Sequence, residues 1–532
     1  MGVETQLKLK IDPGHLARLG ELPIVREHVR TVVPPKKVTS RYFDTPGLDL
    51  WSRHTSLCVR KEGRRWLQDL KTQRKIHSGL HERVEVKIPR GNGRPEFGEI
   101  IEASDVRWLA KSRIPAHLHP VFEIEFRRRG WILEMAAGST LELVVDEGAV
   151  IAGEQREAIC EIELHLRSGT SAALYHAARM LSADVHVCLD NVSKVERGFR
   201  LVGAVRKRPS KKSDPVELAP DGSVDSAISG ILQNCLDQAL ANIEPAVGGF
   251  PEGIHQLRVG LRRFRTCLGL FRRFLPKGIR REILVELSEL WGLLGAVRDW
   301  DVFRFGLVVR MEAEFPGPGA YERFLQGVES IRQPHHERLR TYLREPACCA
   351  RLIWLTDWSV RRGWHELMDA DGTGPIEEPL APAAAGVLQR NHRRIRKKGS
   401  NLATGSPADL HALRIQVKNQ RYAVEFFSAM YVSRRARRYR EALRNLQEHL
   451  GRFNDTVIMS SRILEELRES GLDPEALGWT GKKGIESNEP MDWHGVVLAG
   501  DQAGCGGSSN AGREEQLRRG HECDQDCKSA DS

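Results

Sequence analysis

The sequence predicts an α+β protein of two domains, in which a mostly antiparallel β domain precedes an all-α domain with an internal duplication. Three observations carry this prediction. From residue 3 to about residue 200, apolar and polar residues alternate, which is the period of a half-buried strand. From about residue 225 to about residue 470, the apolar residues recur with the period of a helix. Within this helical part, two separate segments occur twice at a constant offset of 156 residues.

Length and charge narrow the class of protein. A chain of 532 residues exceeds what one hydrophobic core usually supports. The net charge of +10 favours a polyanionic partner such as nucleic acid, an anionic membrane or polyphosphate, although charge alone does not choose among them. The ten cysteines lack the spacing of a zinc site or of a small disulfide scaffold, which favours a reducing cytosol. Without a signal-like start or a long apolar run, we expect a cytoplasmic protein with no membrane partner.

The alternating part contains strands with one charged face. Glu4, Gln6 and Lys8 share a face of the first strand, and Glu161 and Glu163 share a face of a later one. Such faces usually meet solvent, but six strands here mix Glu with Lys or Arg. Closing the sheet into a barrel would turn this polar face into an interior. A charged interior implies a highly charged ligand.

Five motifs in order resemble the CYTH, or triphosphate tunnel metalloenzyme, family over roughly residues 1 to 203. The motifs are Glu4-x-Gln6-x-Lys8, Tyr42-Phe43-Asp44-Thr45-Pro46, Arg83-x-Glu85, Cys160-Glu161-Ile162-Glu163-Leu164 and Ser193-Lys194-Val195-Glu196-Arg197-Gly198. The resemblance implies an eight-stranded antiparallel β-barrel whose tunnel binds a triphosphate with Lys and Arg and holds Mg²⁺ or Mn²⁺ with Glu. The implied reaction is hydrolysis of a triphosphate to diphosphate and phosphate.

The resemblance also assigns roles to individual residues. The implied metal ligands are Glu4, Glu161 and Glu163. The implied phosphate-binding residues are Lys8, Arg60, Lys71, Arg83, Arg128 and Lys194. The implied catalytic residues are Glu4, Lys8 and Glu85. Hard divalent cations prefer such oxygen ligands, and phosphoryl transfer depends mainly on positioning and charge neutralisation.

Three positions depart from the family pattern. Gln6 replaces a glutamate, Cys58 replaces an arginine, and Lys87 replaces a second glutamate. These changes favour weaker metal binding and slower turnover while leaving anion binding in place. Two hypotheses follow: a metal-dependent inorganic triphosphatase, and a non-catalytic polyphosphate-binding protein with a degraded tunnel. Thiamine triphosphate and nucleoside triphosphates, including cyclisation of ATP, stay open as substrates.

A basic stretch interrupted by prolines, at residues 204–224, predicts a linker to the helical part. Beyond it, a His-x-x-basic-x-x-x-basic-x-x-basic pattern occurs twice. The first copy is His255, Arg258, Arg262 and Arg265, and the second is His411, Arg414, Lys418 and Arg421. At helical spacing, each set falls within an arc of about 80°, so each predicts a cationic ridge. We call these sets the first ridge and the second ridge.

The ridges and the repeated segments at Leu294 and Leu450 resemble the CHAD domain over about residues 225–480. That family is α-helical, is built from two bundle-like repeats and is associated with inorganic polyphosphate. The resemblance implies that the eight ridge residues line a polyphosphate surface and suggests association with polyphosphate granules. Nucleic acid is a weaker candidate because neither ridge interleaves the aromatic residues on which bases stack.

Three further features complete the sequence prediction. Asp299 and Asp455, which recur in the repeated segments, are expected to be structural, for instance by pairing with a ridge arginine. The basic cluster from Arg390 to Lys398 either widens the polyphosphate surface or forms a solvated loop. Residues 481–532 are rich in Gly, Ser, Asn and Asp and are predicted to be a disordered tail.

Overall fold

The structure is a computed structural model that describes most of the chain. The described residues are 2–99, 107–110, 114–203, 210–219, 221–308, 319–368, 376–400, 406–454 and 460–472. The predicted tail at 481–532, much of the predicted linker and Asp455 lie outside them. Strands occupy the N-terminal part and helices the C-terminal part, so the predicted two-domain α+β class is confirmed.

The N-terminal domain is a closed antiparallel barrel. Its strands are β1 (Gly2–Ile11), β2 (Val29–Asp44), β3 (Thr55–Glu62), β4 (Arg65–His77), β5 (Leu80–Arg90), β6 (His119–Met135), β7 (Ser139–Ala152) and β8 (Gln155–Ser168), with a short β9 (Val187–Leu189) beside β1. The sheet order is β5-β4-β3-β2-β6-β7-β8-β1, and pairing of β1 with β5 closes it. The expected eight-stranded barrel is therefore confirmed.

The strand register brings opposite charges together inside the barrel. Lys8 of β1 lies opposite Glu163 of β8, and Lys71 of β4 lies opposite Glu85 of β5. Because alternate residues of a strand share a face, these pairs project into the interior that we call the tunnel. The alternating pattern thus creates an interior lined with charge.

Apolar residues on the outer face of the barrel pack against helices. Leu7 and Leu164 are fully buried against α3 (Ala172–Asp184). A shorter helix, α4 (Lys194–Leu201), begins at the Ser193 cap and packs against the sheet. A Cβ on Gly198 would lie 2.2 Å from Phe122, so only glycine permits this close approach. The helix thereby fixes where its first residue, Lys194, enters the tunnel.

The C-terminal domain is helical. The barrel domain also contains two short helices, α1 (Pro23–His28) and α2 (Arg107–Ala110). The helices of the C-terminal domain are α5 (Val224–Ala241), α6 (Ile243–Val247), α7 (Pro251–Leu270), α8 (Ile279–Glu286), α9 (Ser288–Val302), α10 (Ala320–Tyr342), α11 (Pro346–Val360), α12 (Leu380–Gly399), α13 (Pro407–Phe426), α14 (Arg434–Asn454) and α15 (Ser460–Glu469). Their apolar stripes form the main core of the domain.

The predicted internal duplication appears in the positions of the helices. Helix α12 begins 156 residues after α5, at 380 against 224, and α13 begins 156 residues after α7, at 407 against 251. Within the first copy, α5 and α7 pack so closely that a Cβ on Gly260 would lie 2.7 Å from the backbone nitrogen of Ala239. The ridge helices α7 and α13 are therefore equivalent elements of two repeats.

The two domains share a polar and apolar interface. Ile353 of α11 is fully buried in the core beside the barrel. Arg200 of α4 donates to Glu244 at 2.7 Å. At the β4–β5 turn, the Ser78 hydroxyl donates to Asp237 of α5 at 2.6 Å. The interface therefore connects the tunnel strands directly to the helical domain.

A disulfide between Cys188 and Cys349 joins the domains across 161 residues of sequence. The cysteine spacing, which favoured a reducing cytosol, did not predict this pair. The two cysteines are too far apart in the sequence to form a short-range disulfide motif, so only the fold reveals the pair.

None of the described helices is both long and apolar enough to cross a membrane.

Candidate functional site

The tunnel brings together all six predicted phosphate-binding cations. Its lining includes Lys8, Arg60, Lys71, Arg83, Arg128 and Lys194. Among the described residues that line it, nine are Lys or Arg and five are Asp or Glu. Two further carboxylates, Asp146 and Glu161, are fully buried behind this lining. Even with them, positive charge prevails, which suits a multiply charged anion.

Among the Lys and Arg residues that line the described tunnel, Arg83 is the least compensated by carboxylates. Its side chain is buried, with 8% of its surface exposed. Its guanidinium donates to Nδ1 of His81 at 3.3 Å, and within the part of the chain that the structure describes it forms no ion pair. A buried guanidinium without a carboxylate is costly unless an anion completes its environment.

Three carboxylates form a compact acidic cluster at one side of the tunnel. Asp146, Glu161 and Glu163 are all buried, and their oxygens lie within 4.8 Å of one another. The sequence predicts the two glutamates as metal ligands but not Asp146, which lies in none of the five motifs. The signal was present, since Asp146 continues the alternation of β7 and lies opposite Arg128 of β6.

Lysine and arginine side chains hold this acidic cluster. Lys194 contacts Asp146 at 2.7 Å and Glu163 at 2.9 Å and also contacts Glu161. Lys8 contacts Glu161 at 3.1 Å. Arg128 donates to Asp146 at 2.7 and 2.6 Å. Three cations therefore balance three carboxylates.

The electrostatics keep two of these carboxylates, Glu163 and Asp146, ionised. Burial raises the pKa of Glu163, but Lys194, Lys8 and Arg128 outweigh burial and lower it well below its usual range. The same competition lowers the pKa of Asp146, with Lys194 and Arg128 opposing burial. Deprotonated oxygens are what a hard divalent cation requires.

The cluster suits a hard divalent cation. It offers only oxygen donors, which such cations prefer. Moreover, Oε2 of Glu161 is buried without a hydrogen-bond partner among the described residues. The guanidinium of Arg197 lies 3.9 Å from this oxygen, too far to donate a hydrogen bond, so the oxygen retains the capacity to bind a cation. Asp146, Glu161 and Glu163 are thus the residues that would hold the ion.

Glu4, predicted as a metal ligand, lies in a neighbouring group. Lys71 lies between Glu4 at 3.4 Å and Glu85 at 2.8 Å. His165 contacts Glu4 at 3.4 Å and Glu163 at 3.1 Å. Burial raises the pKa of Glu4, but Lys71 and His165 outweigh it and lower the pKa below its usual range. The structure thus separates Glu4 from the other two predicted ligands by one imidazole.

The three residues that depart from the family pattern all line the tunnel. Gln6 is buried in the tunnel and lies opposite His165. Cys58 also lines the tunnel, and burial raises the pKa of its thiol to about 12, so the sulfur is neutral at physiological pH. Lys87 is partly exposed and pairs with Glu85 at 2.6 Å.

The two ridges lie side by side in the helical domain. The Thr266 hydroxyl of α7 donates to Asn419 of α13 at 3.3 Å. Burial and the neighbouring Arg262 lower the pKa of Arg258 to about 10, and Arg414 of the second ridge contributes to this shift. Mutual repulsion of this kind identifies a concentrated positive surface.

Individual ridge residues differ in how they are held. Arg265 and His411 are exposed, whereas the other six are half-buried. Burial and nearby Arg298 lower the pKa of His255 to about 4, so its imidazole is neutral at pH 7. Arg421 donates to Gln447 at 2.7 Å, so internal contacts already orient it.

Other basic residues border the ridges. Arg258 lies 3.8 Å from Asp299, which agrees with the expected structural role of this aspartate. The cluster around Arg390 lies in α12, so the solvated-loop alternative is wrong. Burial, Arg273 and Arg394 together lower the pKa of Arg390, which shows that it adjoins further positive charge.

Comparisons with known proteins divide the chain in the same way. The CYTH domain family matches residues 4–199, and the CHAD domain family matches residues 230–464. The inorganic triphosphatase of Haemophilus influenzae is 30% identical over 206 residues, which are 37% of this chain and 54% of that protein. The match thus spans about half of that relative.

Three further similarities extend the comparison. An uncharacterized protein of Mycobacterium tuberculosis is 24% identical over 464 residues, 81% of this chain and 83% of that protein. The CHAD domain structure from Ricinus communis is 27% identical with a TM-score of 0.47, covering 56% and 97% of the two chains. A Hippeastrum protein described as having a dominant triphosphatase activity is 18% identical with a TM-score of 0.26, covering 36% and 95%. From the family matches and the barrel-then-helices architecture, we conclude that the chain contains a CYTH domain followed by a CHAD domain.

Proposed function

We propose that the protein is a metal-dependent inorganic triphosphatase whose helical domain binds polyphosphate. The observation that carries the tunnel proposal is Arg83, a buried cation aimed into a positively charged tunnel without a carboxylate partner among the described residues. The similarity to the Haemophilus triphosphatase supports the same reaction. The substrate is tripolyphosphate, and the products are diphosphate and phosphate.

In this mechanism, the tunnel cations hold the substrate. Arg83, Arg60 and Lys71 bind phosphate oxygens from one side, while Lys8, Arg128 and Lys194 bind from the side of the acidic cluster. Asp146, Glu161 and Glu163 would hold a divalent cation there, which would supply Lewis-acid polarisation of the phosphate and lower the pKa of water. Positioning and charge neutralisation then carry most of the rate enhancement.

Glu4 and Glu85 handle the proton of the attacking water. Both carboxylates flank Lys71, whose charge opposes burial and lowers the pKa of each, so both are ionised at neutral pH. One of them accepts the proton as the water oxygen bonds to the terminal phosphorus. The bond from that phosphorus to the bridging oxygen breaks, and the diphosphate leaves with the bonding electrons.

Restoring the missing tunnel carboxylate tests this proposal. In Gln6→Glu, we expect faster release of phosphate from tripolyphosphate with Mg²⁺ or Mn²⁺, because an added carboxylate beside His165 strengthens the acidic side of the tunnel. The assay compares the natural chain, Gln6→Glu and Glu4→Ala over a range of metals and pH. If the natural chain releases no more phosphate than Glu4→Ala, the enzyme proposal is wrong.

The alternative function is non-catalytic binding of polyphosphate. Its favouring observation is that Lys8, Lys194 and Arg128 already neutralise the acidic cluster, so an entering metal ion must compete with them. Under this alternative, tripolyphosphate binds without turnover in every variant. Parallel assays with thiamine triphosphate and ATP, including a test for cyclic product, distinguish a different substrate from an absence of catalysis.

For the helical domain, we propose that the first ridge and the second ridge bind long-chain polyphosphate. Adjacent ridges from two repeats give a longer positive surface than either helix alone, and arginine binds phosphate oxygens in pairs. Nucleic acid is the weaker partner. We also propose a cytoplasmic location with association at polyphosphate granules, which a fluorescent fusion expressed in polyphosphate-rich and polyphosphate-free cells tests directly.

Polyphosphate binding is expected to strengthen as the pH falls from 7 to 5. The pKa of His255 is about 4 without ligand, and a bound anion raises it, so the complex takes up a proton that the free protein lacks. At pH 5 the affinity gain is about tenfold for each unit by which the pKa of His255 in the complex exceeds 5, and the gain is complete only below pH 4.

Titration calorimetry at several pH values measures this gain. His255→Asn should lose most of the pH dependence, whereas His117→Asn, which changes an exposed histidine of the barrel domain, should retain it. Equal pH dependence in all three proteins would exclude His255 as its source.

A further inference from the structure

The disulfide between the two domains lies next to a strand of the tunnel. Cys188 belongs to β9 of the barrel domain, and Cys349 belongs to α11 of the helical domain, with Cα atoms 4.9 Å apart. Strand β9 pairs with β1, where Lys10 lies opposite Cys188. The disulfide therefore attaches the helical domain to β9, the strand that pairs with β1, and β1 carries the tunnel residue Lys8.

The chain after Cys188 leads directly to two tunnel lysines. The backbone N–H of Asp190 donates to the carbonyl of Lys8 at 2.9 Å, and the Asp190 carboxylate accepts from Arg197 at 2.7 Å. Between these anchors, the chain turns into α4 and places Lys194 at the acidic cluster. A constraint on β9 therefore restricts the positions of both Lys8 and Lys194.

The surroundings of the disulfide favour exchange at Cys188. This residue is half-buried, whereas Cys349 is 5% exposed. The Cys188 sulfur lies 3.3 Å from Nε2 of His186, and a donating imidazole stabilises a thiolate. The neighbouring Cys348 does not compete, because burial raises the pKa of its thiol to about 12.

We infer that Cys188 and Cys349 form a reversible thiol–disulfide site that fastens the helical domain to the tunnel domain. The co-reactant is a low-molecular-weight disulfide such as oxidised glutathione. The Cys188 thiolate attacks one sulfur of this disulfide and releases one thiol. The Cys349 thiolate then attacks the Cys188 sulfur of the mixed disulfide and releases the second.

The two steps balance in atoms and electrons. Two protein thiols lose two protons and two electrons, and one glutathione disulfide becomes two glutathione thiols. Reduction reverses both steps. Oxidation holds β9, and with it Lys8 and Lys194, in the arrangement described above. The consequence for triphosphate rests on the proposed function of the tunnel, whereas the covalent chemistry does not.

Alkylation trapping tests the covalent chemistry. The full chain is equilibrated in mixtures of reduced and oxidised glutathione, treated with an alkylating reagent, denatured and mapped by mass spectrometry. We expect the Cys188–Cys349 peptide pair to change from mainly reduced to mainly linked across this range. Both residues alkylated at every ratio, a link that resists every ratio, or pairing through Cys348 would each overturn the inference.

Stability and ligand binding test the structural consequence. We expect the oxidised chain to melt several degrees above the reduced chain, because the link restricts the unfolded state. The difference should vanish in Cys188→Ser and remain in the matched control Cys348→Ser. Equal melting temperatures for oxidised and reduced natural chain, or a difference that survives in Cys188→Ser, contradict the fastening role.

Tripolyphosphate binding in the tunnel tests the effect of the disulfide independently of the proposed enzyme activity. We expect the dissociation constant for tripolyphosphate, measured by calorimetry with Ca²⁺ in place of the catalytic metal, to rise several-fold on reduction. This comparison needs no turnover, so a chain without triphosphatase activity still tests the site. Unchanged affinity in both redox states would show that the disulfide does not act on Lys8 and Lys194.

Discussion

Replacing Glu163 with glutamine is expected to reduce triphosphate hydrolysis by about a thousandfold, the scale seen when one preorganised charge is lost from an active site. Glu163 contacts Lys194, Arg128 and His165 as well as lining the tunnel. The substitution keeps the shape of the side chain but leaves these cations short of one negative charge. It also removes a proposed metal ligand. Phosphate release from tripolyphosphate with saturating Mg²⁺ or Mn²⁺ measures the loss.

A matched control on the same strand separates this local effect from a general one. Glu157→Gln makes the same chemical change on β8 at a side chain that is 41% exposed and pairs with Arg197 at 3.4 Å. This control should retain near-normal activity. We also expect Glu163→Gln to lower the free energy of unfolding by about 3 kcal/mol, because breaking a buried ion pair leaves charge uncompensated. Wild-type turnover in Glu163→Gln would remove the acidic cluster from the mechanism.

Reversing one charge in each ridge is expected to weaken retention of long-chain polyphosphate by roughly a hundredfold, or about 2.7 kcal/mol. The change is Arg258→Glu combined with Arg414→Glu. These two arginines belong to different repeats, yet their charges interact, so both border the same surface. Tripolyphosphate binding in the tunnel should be unchanged. Retention on immobilised polyphosphate at several salt concentrations measures the effect, since contacts dominated by phosphates weaken with salt.

The control for this experiment carries the same charge change elsewhere in the domain. Arg434 and Arg437 are exposed on α14, and their replacement by glutamate alters the net charge equally. If this control loses as much retention as the ridge variant, binding depends on overall charge and the ridge assignment is wrong. If tripolyphosphate binding falls in the ridge variant, the tunnel and the ridges do not act separately.

The barrel and the duplication could be predicted because each has a periodic signal. Alternation along the strands already distinguishes a polar face, and the offset of 156 residues already aligns the two ridges. What alternation could not supply is the strand register. Only the register shows that Gln6 lies opposite His165, and that the predicted ligand Glu4 is separated from Glu163 by this imidazole.

The parts that could not be predicted depend on contacts between residues distant in sequence. Asp146 becomes significant only when β7 lies between β6 and β8. The charge of Arg298 helps to keep His255 neutral, although these two residues lie 43 positions apart in the sequence. The disulfide requires the docking of α11 on β9, which no local pattern encodes. Local periodicity thus predicts elements, whereas the site depends on their assembly.

The fully buried position of Ile353 in the barrel-side core has a consequence for how the chain folds. A fragment ending before the helical domain would expose the apolar surface that this side chain covers, and a fragment lacking the barrel would expose Ile353. Each fragment would tend to aggregate. We therefore expect the barrel and the helices to unfold together, and they should be produced as one polypeptide.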